Sequence, residues 1–532
     1  MVSAGCKVMD ERFKAESVAR GSIYLLMMTA LNYALASLFY MVLPRLLSKG
    51  EVGFLSFLMF SMLVFNALTL LALNAAVIKY VAEFAGRGEN ALASLAASKA
   101  LKLILLASTP ALVLAFAVVL TGKVFPLEAE QVYAVLCMIG AGFILDLTNY
   151  YGAVMFGLGM YSTVTVQNVI FSGSSRFLGL LLAYLGYGLV GVSVGFLTGA
   201  LICLSYSVTA LRGRLERPRG VFPYGKLLSY SLPLYVNGLI GLGLGWADLL
   251  ILQLMVGSLS LTGVYYLVTA GASALSVLWA PMASALFPAM SARHGSANPL
   301  ELRWVLEASL RVISVLVIPV SAALASISPT AITIAYGEGY AVGALPFSMV
   351  SLMAVFAAYS SMFTTLLQSV GRTPQVAYVG GASLLVGTGL ALTLAKPLSL
   401  IGVALSRMLT TLTAFLLGYR FARGVVKFRF DSYSVKRSLM VALCSASILL
   451  VADTLMRGQG LKPAYAALLD VTLFIALVMA NLLAWKPLTL KDVEVMEKAI
   501  PLSLGKTFSL LKHCAKRVET RVQSSEEKRR DA

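Results

Sequence analysis

Long apolar runs alternate with short polar ones from Ser22 almost to the end of the chain. Fourteen runs can be counted, near residues 22–44, 53–79, 97–120, 131–152, 163–184, 189–211, 228–254, 261–288, 305–327, 346–369, 376–395, 399–421, 438–455 and 464–485. Most have the length of about 20–25 residues that a helix needs to cross a bilayer. They lack the alternating ten-residue segments of an outer-membrane barrel. The pattern predicts an all-α polytopic membrane protein with about fourteen transmembrane helices. The first run, Ser22 to Leu43, is too long for a signal-peptide core and has no A-x-A-like cleavage site, so it reads as a retained first helix.

The first six runs match the seventh to twelfth at an offset close to 210. Glu51-Val-Gly-Phe-Leu55 corresponds to Leu261-Thr-Gly-Val-Tyr265, Leu101-Lys102 to Leu310-Arg311, and Pro110 to Pro319. Gly159 pairs with Gly371, and Gly191-Val-Ser193 with Gly402-Val-Ala404. Six spans per half is an even number, so both halves enter from the same side. They form a parallel repeat: two six-helix lobes related by pseudo-two-fold symmetry, plus two peripheral helices. The expected organisation is a cytoplasmic N-terminal segment (1–21), an N-lobe (22–211), an inter-lobe loop (212–227), a C-lobe (228–421), the last two helices (422–485) and a basic tail (486–532).

The inter-lobe loop contains RGRLERPRGVFPYGK, Arg212 to Lys226, where Pro218, Gly220 and Pro223 interrupt any helix. In the tail, Val493, Met496, Ile500, Phe508 and Leu511 stand among basic residues. That spacing suits either an interfacial helix on anionic lipid or a solvated tail.

Composition strengthens the membrane reading: 59% of residues are hydrophobic and 12% charged, half the share of a soluble domain. The net charge of +18 would suggest nucleic acid in a soluble protein. Here it sits in connecting loops and the tail, so no nucleic-acid partner is expected. With the N-terminus inside, inner segments hold about 34 of the 42 basic residues. The charge bias therefore puts both termini in the cytoplasm of a plasma-membrane protein. The five cysteines are scattered, and His294 and His513 fall in loop and tail. No metal site, disulfide framework or cofactor is expected.

Ionisable groups inside spans cost about 2.5–3.5 kcal/mol at the helix centre and mark cavities or partners. Four stand out: Asp146, Arg176, Asp248 and Arg407. Arg176 follows Ser172, Ser174 and Ser175, and Arg407 has Ser406, Thr410, Thr411 and Thr413 around it. A membrane-embedded guanidinium among hydroxyls suits phosphate oxygens. For Arg176 a salt bridge to Asp146 is the structural alternative; for Arg407, inter-helix pairing or snorkelling.

Asp248 follows Gly241-Leu-Gly-Leu-Gly-Trp246, and Asp146 precedes Asn149, Tyr150 and Tyr151. Either acid is a candidate for coupling transport to a cation, or a partner for a neighbouring helix. A polar uncharged layer comprises Asn32, Tyr33, Tyr40, Asn66, Asn74, Asn237, Tyr265 and Tyr266; Asn32, Asn237 and Tyr265 are its cavity candidates. Lys79, Lys102 and Arg311 lie near inner span ends, either at a cytoplasmic mouth or as topology anchors.

No GxxxxGK[ST] and no HExxH occurs, and Glu338 with Asp431 makes no glycosyltransferase constellation. No catalytic residues are expected, and the protein is not read as an enzyme. Energy would come from an ion gradient, the membrane potential or the substrate's own gradient.

With this repeat and these loops, the chain resembles the polysaccharide and oligosaccharide flippases of the multidrug/oligosaccharidyl-lipid/polysaccharide transporter superfamily. The stretches that carry the resemblance are Leu43-Pro-Arg-Leu-Leu-Ser-Lys-Gly-Glu-Val-Gly53, Asp248-Leu-Leu-Ile-Leu252, Gly263-Val-Tyr265, Tyr336-Gly-Glu-Gly-Tyr340, Gly371-Arg372 and Gly402-Val-Ala404. Ser48-Lys49 replaces the usual Gly-Pro, and Val52 the usual aromatic.

The resemblance implies a two-lobed fold with a central cavity. It also implies alternating access that carries a lipid-linked oligosaccharide on a polyprenyl (pyro)phosphate to the outer leaflet. Membrane lipids are the surroundings, and glycosyltransferases or a polymerase or ligase would be partners. A cation-coupled drug extruder of the same fold is the alternative, and a non-transporting membrane scaffold is the third. The extruder branch commonly carries an acid in its first helix, where this chain has Asn32.

Overall fold

The computed structural model describes residues 31–121, 127–295 and 299–459, with isolated helical positions at 469, 472–474 and 476. The N-terminal segment, most of the fourteenth run and the basic tail lie outside the described residues. All regular structure among the described residues is helical. Ten helical segments there are long and apolar enough to cross a membrane, and two of these, Tyr161–Leu211 and Thr373–Arg423, are helix pairs joined at a kink. The chain is an all-α polytopic membrane protein.

The structure falls into two compact units. The first holds residues up to Gln253 with Gly257–Tyr266; the second holds Leu254–Val256 and the chain from Leu267 onward. In order, the helices are α1 (31–42), α2 (Lys49–Leu70), α3 (Leu73–Gly86), α4 (Asn90–Thr121), α5 (Ala129–Gly157), α6 (Tyr161–Leu182), α7 (Gly188–Leu211) and α8 (Tyr224–Val256). They continue with α9 (Leu259–Ser273), α10 (Ala280–Gly295), α11 (Pro299–Ser326), α12 (Ser328–Tyr336), α13 (Ala344–Ser369), α14 (Thr373–Arg423) and α15 (Ser432–Gly458).

The apolar runs locate these helices, and local chemistry sets their ends. Ser48, where the resemblance expects glycine, caps α2. Its hydroxyl accepts from the Glu51 amide at 3.3 Å, and the Glu51 carboxylate accepts from the Ser48 amide at 2.8 Å. This capping box satisfies two otherwise orphaned donors.

Two runs read as single spans are broken. The run at 53–79 divides between α2 and α3, where Leu71 and Ala72 both have positive φ (46° and 54°). The run at 261–288 passes through a 3-10 turn, Ala274–Leu278, between α9 and α10. Periodicity sees apolar positions on both sides of such a break and none of the backbone geometry inside it.

Backbone signatures recur at the offset seen in the sequence. Gly159 and Gly371 end α5 and α13 with φ of 75° and 77°. The following amides reach back to equivalent carbonyls, Met160 to Met155 at 2.9 Å and Arg372 to Leu367 at 2.8 Å. Only a residue without Cβ takes that left-handed cap cheaply. Gly188, the first residue of α7, and Ser399, inside α14, share φ near 48° and ψ near −130° (48°/−131° and 49°/−124°). Gly191 and Gly402 then press on the preceding helix: a Cβ there would lie 2.8 Å from the Leu182 carbonyl carbon and 2.1 Å from the Leu394 oxygen.

The loop after α7 is fastened to the first unit. Phe222 is buried against Tyr80 and Phe84, with ring centroids at 5.1 and 5.5 Å. Its carbonyl accepts from Lys99 at 2.7 Å, Asn90 donates to Glu216 at 3.0 Å, and Tyr80 donates to the Lys226 carbonyl at 3.1 Å. In the second unit the segment after α14 does likewise: Phe428 is buried against Phe363 and Tyr419, and Arg311 stands 3.8 Å from Asp431. The loop arginines therefore belong to a docked segment rather than a slack tether. Phe222→Ala is expected to cost about 3–5 kcal/mol, as buried Phe truncations do. Thermal unfolding of the purified protein would read that loss, and Val221→Ala, next to it but exposed, should melt like wild type.

Candidate functional site

Arg176 occupies the third quarter of α6, half-buried. Close packing of α6 on α7 puts it there. A Cβ on Gly195 would lie 2.2 Å from the Gly179 amide nitrogen, and one on Gly199 2.6 Å from the Ser175 backbone. Small residues four apart let the two backbones touch, as membrane helix pairs require. That contact buries Ser175 and turns its neighbour Arg176 toward α1 and α9.

The guanidinium donates to the Ser172 carbonyl at 3.2 Å and lies within electrostatic reach of the Tyr40 and Tyr266 hydroxyls. Those hydroxyls share a hydrogen bond at 2.8 Å, with their rings edge to face at 5.6 Å. Trp246 lies against Tyr266, with centroids at 5.9 Å, and Phe60 against Trp246 at 5.6 Å. The Ser172 hydroxyl donates to the Asn32 side-chain oxygen. Among the described residues no carboxylate forms an ion pair with Arg176. The first unit thus holds a membrane-embedded cation bordered by hydroxyls, an amide and aromatic rings. That donor set is suited to an anion carrying sugars or other hydroxylated groups.

The alternative of a bridge between Arg176 and Asp146 is not what the structure contains. Asp146 is fully buried and accepts from Asn66 at 2.7 Å and from Thr69 at 2.5 Å. Neutral donors on α2 hold it, and Asn66 also donates to the Gly142 carbonyl at 2.7 Å. Near it, Asn74, Thr148, Asn149, Gln167 and Asn168 line a cleft of about 160 Å³.

Asp248 accepts from the Tyr265 hydroxyl at 2.6 Å and from the Leu249 amide at 2.9 Å, which joins α8 to α9. Tyr265 is fully buried in that joint. Asn237 donates to the Pro233 carbonyl of its own helix at 3.4 Å. Lys79 lies 4.2 Å from the centre of the Tyr230 ring, and Lys102 is exposed on α4. In the second unit, Arg407 is half-buried in the latter part of α14, and its carbonyl accepts from Thr411 at 2.9 Å. The structure therefore groups Arg176 with Asn32, Tyr40 and Tyr266, and groups Tyr265 with Asp248.

Sequence reading did not single out Thr69 or the role of Trp246. Thr69 stands three residues after Asn66 and so shares its helical face, which is the signal that could have found it.

The same end of this unit carries a second feature. The N-terminal turns of α2 and α9 meet glycine on glycine. A Cβ on Gly53 would lie 1.9 Å from the Leu259 oxygen, and one on Gly263 2.3 Å from the Lys49 oxygen. One turn deeper along α9 comes the Tyr40–Tyr266 pair.

A helical membrane protein with a cation in a polar, aromatic-lined interior is the class that fold and site define. Solved structures share the fold. A lipid II flippase MurJ in an inward-closed conformation matches at 13% identity and TM-score 0.65, covering 86% of this chain and 97% of that one. An inward-facing multidrug resistance MATE family transporter of the MOP superfamily matches at 16% identity and TM-score 0.61, covering 76% and 98%. A multidrug resistance MATE family transporter in an outward-facing conformation matches at 16% identity and TM-score 0.56, covering 77% and 96%. No curated protein matches the sequence. The family model described as "Polysaccharide biosynthesis protein" matches residues 18–294, more than half of the 532. The chain belongs to that polysaccharide biosynthesis family.

Proposed function

We propose that the protein is a flippase. It carries a polyprenyl-(pyro)phosphate-linked oligosaccharide from the cytoplasmic to the outer leaflet of the plasma membrane, by alternating access, for surface polysaccharide or glycan export. The observation that carries this reading is Arg176, a cation inside the membrane with no acidic partner among the described residues. A lipid-linked sugar supplies what it lacks, a phosphate, and presents hydroxyls to Asn32, Tyr40 and Tyr266. Membership of the polysaccharide biosynthesis family and the fold shared with the MurJ lipid II flippase both support it. The bias of basic residues toward one side of the membrane is in keeping with both termini in the cytoplasm. Arg407, in the span that repeats the sixth rather than the fifth, is the candidate cation of the second unit. Lys79, Lys102 and Arg311 are better suited to anchoring span ends than to holding substrate. Glycosyltransferases and a polymerase or ligase are the enzymes that would supply and consume the substrate, and the chain itself carries out no covalent chemistry.

The Gly53–Gly263 contact, with Tyr40–Tyr266 beneath it, is in this reading a closed outer gate. Opening it would expose Arg176 to the outer side. The test is transport of a fluorescent lipid-linked oligosaccharide in proteoliposomes, scored by accessibility of the sugar to an added lectin. Transfer of that lipid is expected. Export of organic cations in its place would establish the multidrug alternative suggested by the MATE fold.

Of the two acids, Asp146 is the stronger coupling candidate. Asp248 is committed to Tyr265 and a backbone amide, whereas Asp146 has only side-chain donors and a polar cleft close by. Asp146→Asn is expected to retain transport down the substrate gradient and lose its response to an imposed ion gradient. Stimulation by the gradient equal to wild type would reject the assignment.

A further inference from the structure

Three arginines at one end of the second unit take no part in the proposed transport. Arg372 precedes the first turn of α14, and Arg420 and Arg423 lie in its last turn. Because α14 doubles back at Ser399, its two ends are neighbours. A Cβ on Gly424 would stand 3.9 Å from a guanidinium nitrogen of Arg372, and Tyr378 meets Phe421 across the pair at 5.8 Å. The arginines line one groove of about 650 Å³ with Tyr419, Phe421 and Gly424.

Arg423 donates to the Tyr419 hydroxyl at 3.1 Å and lies 5.5 Å from the centre of that ring, a contact that orients it without neutralising it. Among the described residues no carboxylate pairs with any of the three. The acids of this unit's end are engaged elsewhere, Glu307 by Arg303 and the Arg429 amide, and Asp431 by Ser434 and Arg311. Like charges gathered in one groove repel, and an anion with several oxygens relieves the repulsion through forked hydrogen bonds.

The surface leading away from the groove identifies the source of that anion. Tyr378 and Leu385, two turns apart on the first part of α14, are 60% and 76% exposed. Leu416, one turn from Arg420 and two from Arg423, is 53% exposed, and Leu409, two turns further, 39%. Exposed apolar faces on membrane-spanning helices meet acyl chains. A cationic groove at the head of such a face lies where lipid phosphates lie.

We propose that this groove binds the phosphate headgroup of an anionic membrane lipid, its acyl chains lying along Tyr378, Leu385 and Leu416. The site rests on the second unit alone and does not depend on the reading of Arg176.

The full-length protein, purified in neutral detergent, is titrated with phosphatidylglycerol and with phosphatidylcholine of the same acyl chains, and bound lipid is counted by native mass spectrometry. A basic residue near the lipid phosphate is worth about fivefold in affinity. Arg372→Gln and Arg420→Gln should each weaken phosphatidylglycerol binding about fivefold and the pair roughly twenty-five-fold, with phosphatidylcholine unchanged. Arg214→Gln with Arg217→Gln, on the loop after α7, should leave both lipids bound as in wild type, and millimolar inorganic phosphate should not displace the lipid. Undiminished binding by the pair overturns the proposal. So does an equal loss from the loop variants, and displacement by inorganic phosphate would assign the groove to a free anion instead. Both arginines are exposed, so each single variant is expected to fold and either one alone decides the outcome.

Discussion

Replacing Arg176 with glutamine is expected to slow transport at least about a hundredfold and to leave the folded protein no less stable than before. The two halves of that expectation have different causes. A hydrogen bond between a charged donor and an acceptor contributes about 1.5–3 kcal/mol, so losing two to a substrate phosphate corresponds to a factor of about a hundred or more. Stability follows from what Arg176 touches within the chain. Its bond to the Ser172 carbonyl, also from a charged donor, contributes about 1.5–3 kcal/mol, while a charge at this depth costs about 2.5–3.5 kcal/mol by insertion scales. Removing both therefore leaves stability unchanged or raises it.

A residue serving only to join helices behaves in the opposite way, because its loss lowers the melting temperature and transport falls with the amount of folded protein. Proteoliposome transport and thermal unfolding of the same preparation separate the two. Arg176→Lys keeps the charge without the planar fork and is expected to fall between wild type and Arg176→Gln. Wild-type transport in Arg176→Gln, or a loss explained by an earlier melt, would remove Arg176 from the substrate path.

Arg176 was legible because a charge in an apolar run is conspicuous whatever surrounds it. Its surroundings were not. Tyr40 and Tyr266 are 226 residues apart, and nothing in the pattern of either run says that their hydroxyls meet. The sequence offered Asp146 as a partner because opposite charges in consecutive spans suggest a bridge. Two neutral donors on α2 satisfy that carboxylate instead, and donors of that kind are too common in membrane helices to be noticed. Span positions were legible for the same reason as Arg176, since length and apolarity are local properties. The breaks at Leu71–Ala72 and at Ala274–Leu278 were hidden, because neither carries a proline or an unusual composition. The repeat was legible as an offset between faint matches. Its physical content emerges in the left-handed caps at Gly159 and Gly371 and in the matched conformations of Gly188 and Ser399.

Gly53→Val is expected to reduce transport to background by preventing closure of the contact between α2 and α9. Ordinary van der Waals contact begins near 3.4 Å, whereas a Cβ on Gly53 would fall 1.9 Å from the Leu259 carbonyl oxygen. Backbone oxygens at the start of a helix cannot swing aside as a side chain does, so even alanine must part the two helices by roughly 1.5 Å, and valine by more. One turn deeper, the Tyr40–Tyr266 hydrogen bond at 2.8 Å does not survive a shift of that size. The gate then stays ajar and the polar interior near Arg176 is no longer sealed on that side, which alternating access requires.

The same substitution three residues earlier supplies the comparison. A Cβ on Gly50 meets nothing within 4 Å, so Gly50→Val bears the same cost of valine in the first turn of α2 without the clash. Gly53→Ala is expected to lower transport several-fold, Gly53→Val to abolish it, and Gly50→Val to leave it at the wild-type rate in the same vesicles. Equal rates in Gly53→Val and Gly50→Val, whether both high or both low, would mean that the glycine contact shapes the helix end and gates nothing.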